Sequence, residues 1–264
     1  MSSSEQSLIF QDPAGNRVSA ILARPASPTD RIVLLCHGFL SNKNSTTNRA
    51  ITRLLLAHDI ATFRFDFFGQ GESQGPFEQI TLTTAVDQAR AALDLIRAEG
   101  FRRIGLMGSS FGGLVAVLTA GHEAGHGWDL RVLGLKCPVP DFPEMLRLEF
   151  GDAGMERWRL GQEIPDVSGG TRPLRLHFAF YEDCLTYDAY KAAERIVSPT
   201  LIVQGDCDEL VPLHQSQRLY DALAGPKQLD LIPGADHSFT KAPDFHTMAD
   251  KFSEWLIEHL GGAT

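Results

Sequence analysis

No stretch of this 264-residue sequence comes near the roughly 18 consecutive apolar residues that a membrane-spanning helix needs. Positive charge is also scarce. Lys and Arg number 24 against 33 Asp and Glu, a formal net charge of -9, and no basic cluster interrupts the deficit. Such a chain has no general attraction for nucleic acid or an anionic membrane. Cysteine is sparse: Cys36, Cys137, Cys184 and Cys207 form no C-x-x-C pair. That spacing gives neither a zinc ribbon nor a disulfide framework, and it suits reduced thiols in a cytoplasmic protein. The start, Met1 to Ser7, lacks both a positive charge and an apolar stretch, so no signal peptide is expected. Internal repeats and low-complexity tracts are missing too.

What is present is a regular beat of strands and helices. Leu8 to Phe10 and Arg17 to Ala23 flank Asp12-Pro13-Ala14-Gly15-Asn16, a hairpin turn. Arg31 to Cys36 is a continuous apolar run, as in a strand buried on both faces. Ser45 to His58 reads as a helix with Ile51, Leu54 and Leu55 facing a core, and Ile60 to Asp66 as a strand. Thr83 to Ala98 repeats Val86, Ala89, Leu93 and Ile96 at helical period. Strands at Arg103 to Met107 and Arg131 to Lys136 follow. Beyond Pro138, residues 138–190 are rich in Pro, Gly, Phe and Tyr and lose the beat, with Gly169-Gly170 as a small hairpin turn. The beat returns with strands at Thr200 to Gln204 and Gln228 to Ile232 and helices at His214 to Leu223 and Phe245 to Leu260. Alternation of this kind means a mostly parallel central sheet with helices on both faces. The expected division is a core of residues 1–137 and 191–264, with 138–190 as an inserted lid.

Gly108-Ser109-Ser110-Phe111-Gly112 carries the chemistry. Gly-x-Ser-x-Gly alone arises by chance in roughly one chain in ten of this length. Here it joins a strand directly to a helix. The sharp turn needs small residues on both sides of its apex, strains the apex backbone and places its hydroxyl at a helix N-terminus. Only Ser110 has glycine two before and two after.

Ligands in an open parallel sheet bind beyond the carboxyl ends of the strands. His37-Gly38-Phe39 follows one strand and Ser110 another. Gly205-Asp206-Cys207-Asp208-Glu209-Leu210-Val211-Pro212 follows a third, and Pro233-Gly234-Ala235-Asp236-His237 a fourth. Together they offer a nucleophile, an imidazole to take and return its proton, and a carboxylate to orient that imidazole. A developing oxyanion requires N–H donors; Phe111, after the serine, offers one and Phe39 the second.

These segments, with Asp66-Phe67-Phe68-Gly69-Gln70-Gly71-Glu72-Ser73, resemble the α/β-hydrolases over nearly the whole chain except 138–190. The family order Ser, Asp, His maps onto Ser110, Asp208 and His237. The resemblance favours Asp208 over Asp206, a turn residue. Within the fold the chain is most similar to bacterial feruloyl/cinnamoyl esterases and related carboxylesterases. That implies a cofactor-independent serine ester hydrolase acting through an acyl-enzyme, on aryl-acrylate or short-acyl esters of small molecules. A peptidase, thioesterase or acyltransferase is the alternative, and a binding module a remoter one. Dehalogenases and epoxide hydrolases of similar architecture place aspartate where Ser110 stands. His37 is expected to tie down the oxyanion loop and Cys207 to pack. Among the lid aromatics Phe142, Phe150, Trp158, Phe178, Phe180, Tyr181 and Tyr187, Tyr181 is a candidate to reach a polar substituent of the substrate, as is Asp141. No nucleic acid or membrane partner is expected, and the oligomeric state is open, a homodimer included.

One motif competes. His122-Glu123-Ala124-Gly125-His126 matches the His-Glu-x-x-His of zinc peptidases. Gly121, Gly125 and Gly127 surround it, each costing about 1 kcal/mol in a helix interior. It also lies at the end of the helix remote from Ser110, with no third ligand marked. The expectation is that no metal binds there.

Overall fold

The computed structural model describes residues 3–124, 130–165 and 173–261. Its centre is an eight-stranded sheet. The first two strands, β1 (Ser4–Gln11) and β2 (Arg17–Arg24), form the expected antiparallel hairpin. Asp12 closes the turn by accepting from the N–H groups of Ala14 and Asn16. Next come β3 (Arg31–Cys36), α1 (Thr46–Leu56), β4 (Ala61–Phe65), α2 (Leu82–Ala98), β5 (Arg103–Ser109), α3 (Phe111–Glu123) and β6 (Leu130–Lys136). Ser45 and Thr81 cap the starts of α1 and α2 through their hydroxyls, accepting from Asn48 and Thr84 N–H.

Spatial order in the sheet departs from chain order. β2 pairs antiparallel with β4, β4 pairs parallel with β3, and β3 with β5, followed by β6. The chain therefore leaves β3 towards one edge and returns to build β5 on its other side. Such a reversal opens a crevice at the carboxyl ends of the two strands. His37 follows β3 there, and Ser110 follows β5.

Strand alternation sorts the core into two layers. Ile32, Leu34 and Cys36 face a cluster that includes Ala89, Leu93 and Val115 of α2 and α3. Val33 and Leu35 face the other side, with Ile51 and Leu55 of α1. All five strand residues are at most 1 % exposed, which explains their unbroken apolar run.

Residues 138–190 correct the expectation of an irregular segment. They contain α4 (Phe142–Gly161), the short pair β7 (Glu163–Ile164) and β8 (Leu174–Arg175), and α5 (Ala179–Cys184). The Gly169-Gly170 turn lies outside the described residues. α4 escaped notice because Gly151, at φ 59° and ψ 173°, interrupts it. The break resets the apolar phase, so no single helical period runs through the segment. α6 (Ala189–Ala193) straddles the expected boundary at 190 and packs on α3. Then β9 (Thr200–Gly205), α7 (Leu213–Ala222), β10 (Lys227–Ile232) and α8 (Ala242–Gly261) complete the chain. β9 pairs parallel with β6 and β10 with β9. Phe252, Leu256 and Leu260 of α8 are fully buried in the second layer, with Trp255 packed at its margin.

Candidate active site

Ser110 sits between β5 and α3 with φ 52° and ψ -116°. A backbone in that region costs a non-glycine residue about 1–3 kcal/mol. The glycines on either side make the turn sterically feasible. A Cβ on Gly108 would lie 2.0 Å from the Gly112 carbonyl oxygen. One on Gly112 would lie 2.4 Å from the carbonyl oxygens of Cys36 and His37. The elbow is thus pressed against the end of β3, where the His37-Gly38-Phe39 loop begins.

His37 organises that loop. Its ring is fully buried, and the Phe67 N–H donates to Nε2 at 3.1 Å. Nε2 is therefore the acceptor, and the proton belongs on Nδ1, which donates to the Gly38 carbonyl oxygen at 2.7 Å. Desolvation by burial pushes its pKa down to about 4, so the ring is neutral at physiological pH. In a trans peptide the C=O and the following N–H point opposite ways. Holding the Gly38 oxygen at His37 aims the Phe39 N–H away from His37. Neither that N–H nor the Phe111 N–H at the start of α3 has an acceptor among the described residues. Both are available to an oxyanion.

The base of the loop is anchored by residues that sequence reasoning missed. Buried Asp66 accepts from the Lys43 N–H and from Lys43 Nζ, each at 2.6 Å. Lys43 Nζ also reaches Glu72 at 2.6 Å. Burial works to lower the Lys43 pKa, but the two carboxylates outweigh it and raise it. Asp66 and Glu72 stood in the recognised segment; their lysine lies elsewhere in the chain and carried no signal.

On the other side of the elbow, Asp208 follows β9 and His237 follows β10. His237 Nδ1 lies 2.9 Å from Asp208 Oδ2 and 3.0 Å from Oδ1. Asp208 also accepts from the N–H groups of Leu210 and Val211 and from Gln204 Nε2. Burial raises its pKa, while the bonds from His237, Val211 and Leu210 lower it and prevail. Asp208 is held as an anion beside the imidazole. Asp206 instead accepts from the Gly234 N–H at 2.6 Å. Three more partners that sequence reasoning missed hold the His237 main chain: Glu209 accepts its N–H at 3.2 Å, while Lys136 Nζ at 2.9 Å and, more weakly, the Cys137 thiol at 3.6 Å donate to its carbonyl oxygen.

Ser110 Oγ and His237 Nε2 are not hydrogen-bonded to each other in this structure. Main-chain anchors bring the two residues to one rim. The Ser110 N–H donates to the Lys136 carbonyl oxygen at 2.8 Å, and Lys136 reaches His237 through its side chain.

Asp141 and Tyr181 have other partners. Asp141 Oδ1 caps α4 by accepting from the Glu144 N–H at 2.8 Å, and Tyr181 Oη accepts from Arg147 at 2.8 Å. Asp141 borders a cavity of about 340 Å³ whose lining includes Arg147, Tyr187, Tyr190 and Arg218 but not Ser110. Among the aromatics of 138–190, Phe142 and Phe180 reach the elbow, at 5.6 and 6.0 Å from the Phe111 ring. Phe39 packs on both, and on Phe77 and Phe111, at centroid separations of 5.3–5.6 Å.

Two groups bear on metal binding. His122 and Glu123 end α3, where Glu123 is paired with Arg90 at 3.1 Å; His126 lies outside the described residues. Cys137, Asp208 and His237 bring a thiol, a carboxylate and an imidazole within 4.8 Å of one another. Nδ1 and the carboxylate are spent on each other, and the Lys136 ammonium adjoins them. That arrangement opposes a further cation. Cys207 is exposed, not packed. No helix among the described residues is long and apolar enough to cross a membrane.

Solved structures with the same architecture include Est1E from Butyrivibrio proteoclasticus with ferulic acid bound. It aligns at a TM-score of 0.84 and 24 % identity over 97 % of this chain and 100 % of that one. A putative hydrolase from Agrobacterium vitis aligns at 0.84 and 24 % identity over 98 % and 100 % of the two chains. By sequence, an uncharacterized protein of Mycobacterium tuberculosis is 29 % identical over 86 % of this chain and 69 % of its own length. The alpha/beta hydrolase family model matches residues 33–246. The chain is a member of the alpha/beta hydrolase family.

Proposed function

We propose that the protein is a serine carboxylic-ester hydrolase working through Ser110, His237 and Asp208. The observation that carries this reading is the strained Ser110 elbow on the same rim as a buried His237–Asp208 pair. Ser110 Oγ attacks the ester carbonyl while His237 Nε2 takes its proton. The Phe39 and Phe111 N–H groups stabilise the oxyanion. His237 then protonates the departing alcohol, leaving an acyl-serine. A water molecule gives its proton to His237, attacks the acyl carbon and releases the acid, and Ser110 recovers its proton. Asp208 keeps the Nδ1–H tautomer and stabilises the imidazolium; it stays ionised throughout.

The acid side is proposed to accept aryl-acrylate or short-acyl groups. Phe39, Phe142 and Phe180 offer ring faces and edges next to the oxyanion loop, a surface suited to an aromatic acid. Est1E, which shares the fold, binds ferulic acid. The proposed body is 1–137 with 191–264, and 138–190 covers the rim through α4 and α5. A small-molecule ester is the proposed partner and no cofactor enters any step. The test is hydrolysis of methyl ferulate and p-nitrophenyl butyrate by the purified chain and by Ser110→Ala. Ester turnover that falls by about 10⁴ or more in the variant supports the reading. A variant that keeps most of its rate overturns it.

A further inference from the structure

Between β5, which delivers Ser110, and β9, which delivers Asp208, runs β6, and its last residue is a lysine. Lys136 pairs with Ser109 on one side and Val203 on the other. Its carbonyl oxygen accepts the Ser110 N–H at 2.8 Å, and its Nζ donates to the His237 carbonyl oxygen at 2.9 Å. The residue is only 6 % exposed. Among the described residues no carboxylate oxygen lies within 4.0 Å of Nζ. The ring of Phe239 lies with its centroid 4.9 Å away, and the Asp236 carboxylate, beyond ion-pair distance, feels the charge through space. A buried ammonium without a direct ion pair is costly, and one carbonyl, one ring face and the more distant Asp236 charge offset that only in part. An apolar residue would fill the end of this otherwise buried strand at less expense.

What the lysine supplies is a link. Asp208 fixes the His237 ring, and Glu209 fixes its N–H, but both belong to the β9–α7 loop. Neither ties His237 to the strand that carries the nucleophile. Lys136 bonds to both residues of the Ser110–His237 pair. Those two side chains are not bonded to each other, so their spacing is set by main-chain anchors. We infer that Lys136 is a positioning residue, holding the His237 backbone at the distance from which its imidazole takes the Ser110 proton. This rests on the reading of Ser110 and His237 as nucleophile and base.

The test compares Lys136→Met, which keeps the stem and removes the donor, with Lys136→Arg, whose guanidinium donates to the same carbonyl. For p-nitrophenyl butyrate, Lys136→Met should lose about 10²-fold in kcat, the scale of a small misplacement of reacting groups. KM should stay near the wild-type value, and Lys136→Arg should recover most of kcat. A merely structural lysine would lower the folded fraction and leave kcat per folded molecule and KM alone. Wild-type kcat in Lys136→Met overturns the inference, as does an Arg variant no faster than a folded Met variant. If Lys136→Met does not fold, Lys136→Gln replaces it. An equal kcat in the Gln and Arg variants then overturns the inference, and a slow Gln with an active Arg supports it. Full activity in Ser110→Ala would remove the underlying reading instead. A Ser110-dependent wild type with a fully active Lys136→Met removes only the role given to Lys136.

Discussion

His37 Nδ1 lies 2.7 Å from the carbonyl oxygen of Gly38, and that bond decides where the next N–H points. The Phe39 N–H, like that of Phe111, has no acceptor among the described residues. Replacing His37 by Leu removes both the hold on the Gly38 oxygen and the acceptor for the Phe67 N–H. The expected result is a fall in kcat of about 10²-fold with little change in KM, the cost of one oxyanion donor. Steady-state kinetics on p-nitrophenyl butyrate would show it. A kcat equal to the wild type would mean that the loop holds its shape without the ring.

Acid should weaken the fold through the same residue. The folded-state pKa of His37 is lowered from 6.5 to about 4, chiefly by burial, so the unfolded chain binds a proton more readily. The stability associated with the neutral ring is fully present above about pH 6.5 and is lost as pH falls towards 4. The shift corresponds to up to about 3 kcal/mol. Asp208 adds its share at lower pH, below the usual carboxylate value, as it protonates and releases His237. Urea unfolding between pH 7 and 4 should show a steeper loss for the wild type than for His37→Leu. Parallel curves would contradict the assignment.

Asp206 and Asp208 stand two residues apart and should separate cleanly. Asp208→Asn is expected to cut kcat by about 10⁴, because the amide no longer selects the reactive tautomer. Asp206→Ala should keep kcat and lose about 1 kcal/mol of stability, the scale of the bond from the Gly234 N–H. Paired kinetics and denaturation would check both, and equal losses of kcat would remove the distinction.

The ring cluster around Phe39 sets an expectation about substrate. Phe180 packs on Phe39 at 5.3 Å and on Phe142 at 5.4 Å. Phe180→Ala should lower kcat/KM for methyl ferulate by about tenfold, on the scale of one aromatic contact, and affect acetate esters less. A uniform loss across all esters would point to a packing role for Phe180.

Local rules explain what could be read from the sequence. The Ser110 elbow depends on clearances at Gly108 and Gly112, which are neighbours in the chain. The strand Arg31–Cys36 and the stripe of α8 depend on burial periodicity, also a local property. α4 did not announce itself, because Gly151 breaks its phase and much of its surface is exposed. Selecting Asp208 over Asp206 took a family resemblance, since only the fold brings residue 208 to residue 237. Lys136 was visible only as the end of an apolar strand. Its role depends on a contact 101 residues away.

The central claim is that Ser110 is a nucleophile activated by His237. A fluorophosphonate probe, with the labelled peptide identified by mass spectrometry, tests it without knowledge of the substrate. The expected outcome is rapid labelling at Ser110 in the wild type, none at that position in Ser110→Ala, and labelling slowed by orders of magnitude in His237→Ala. An unlabelled, folded wild type, or a His237→Ala variant labelled as fast as the wild type, would contradict the account.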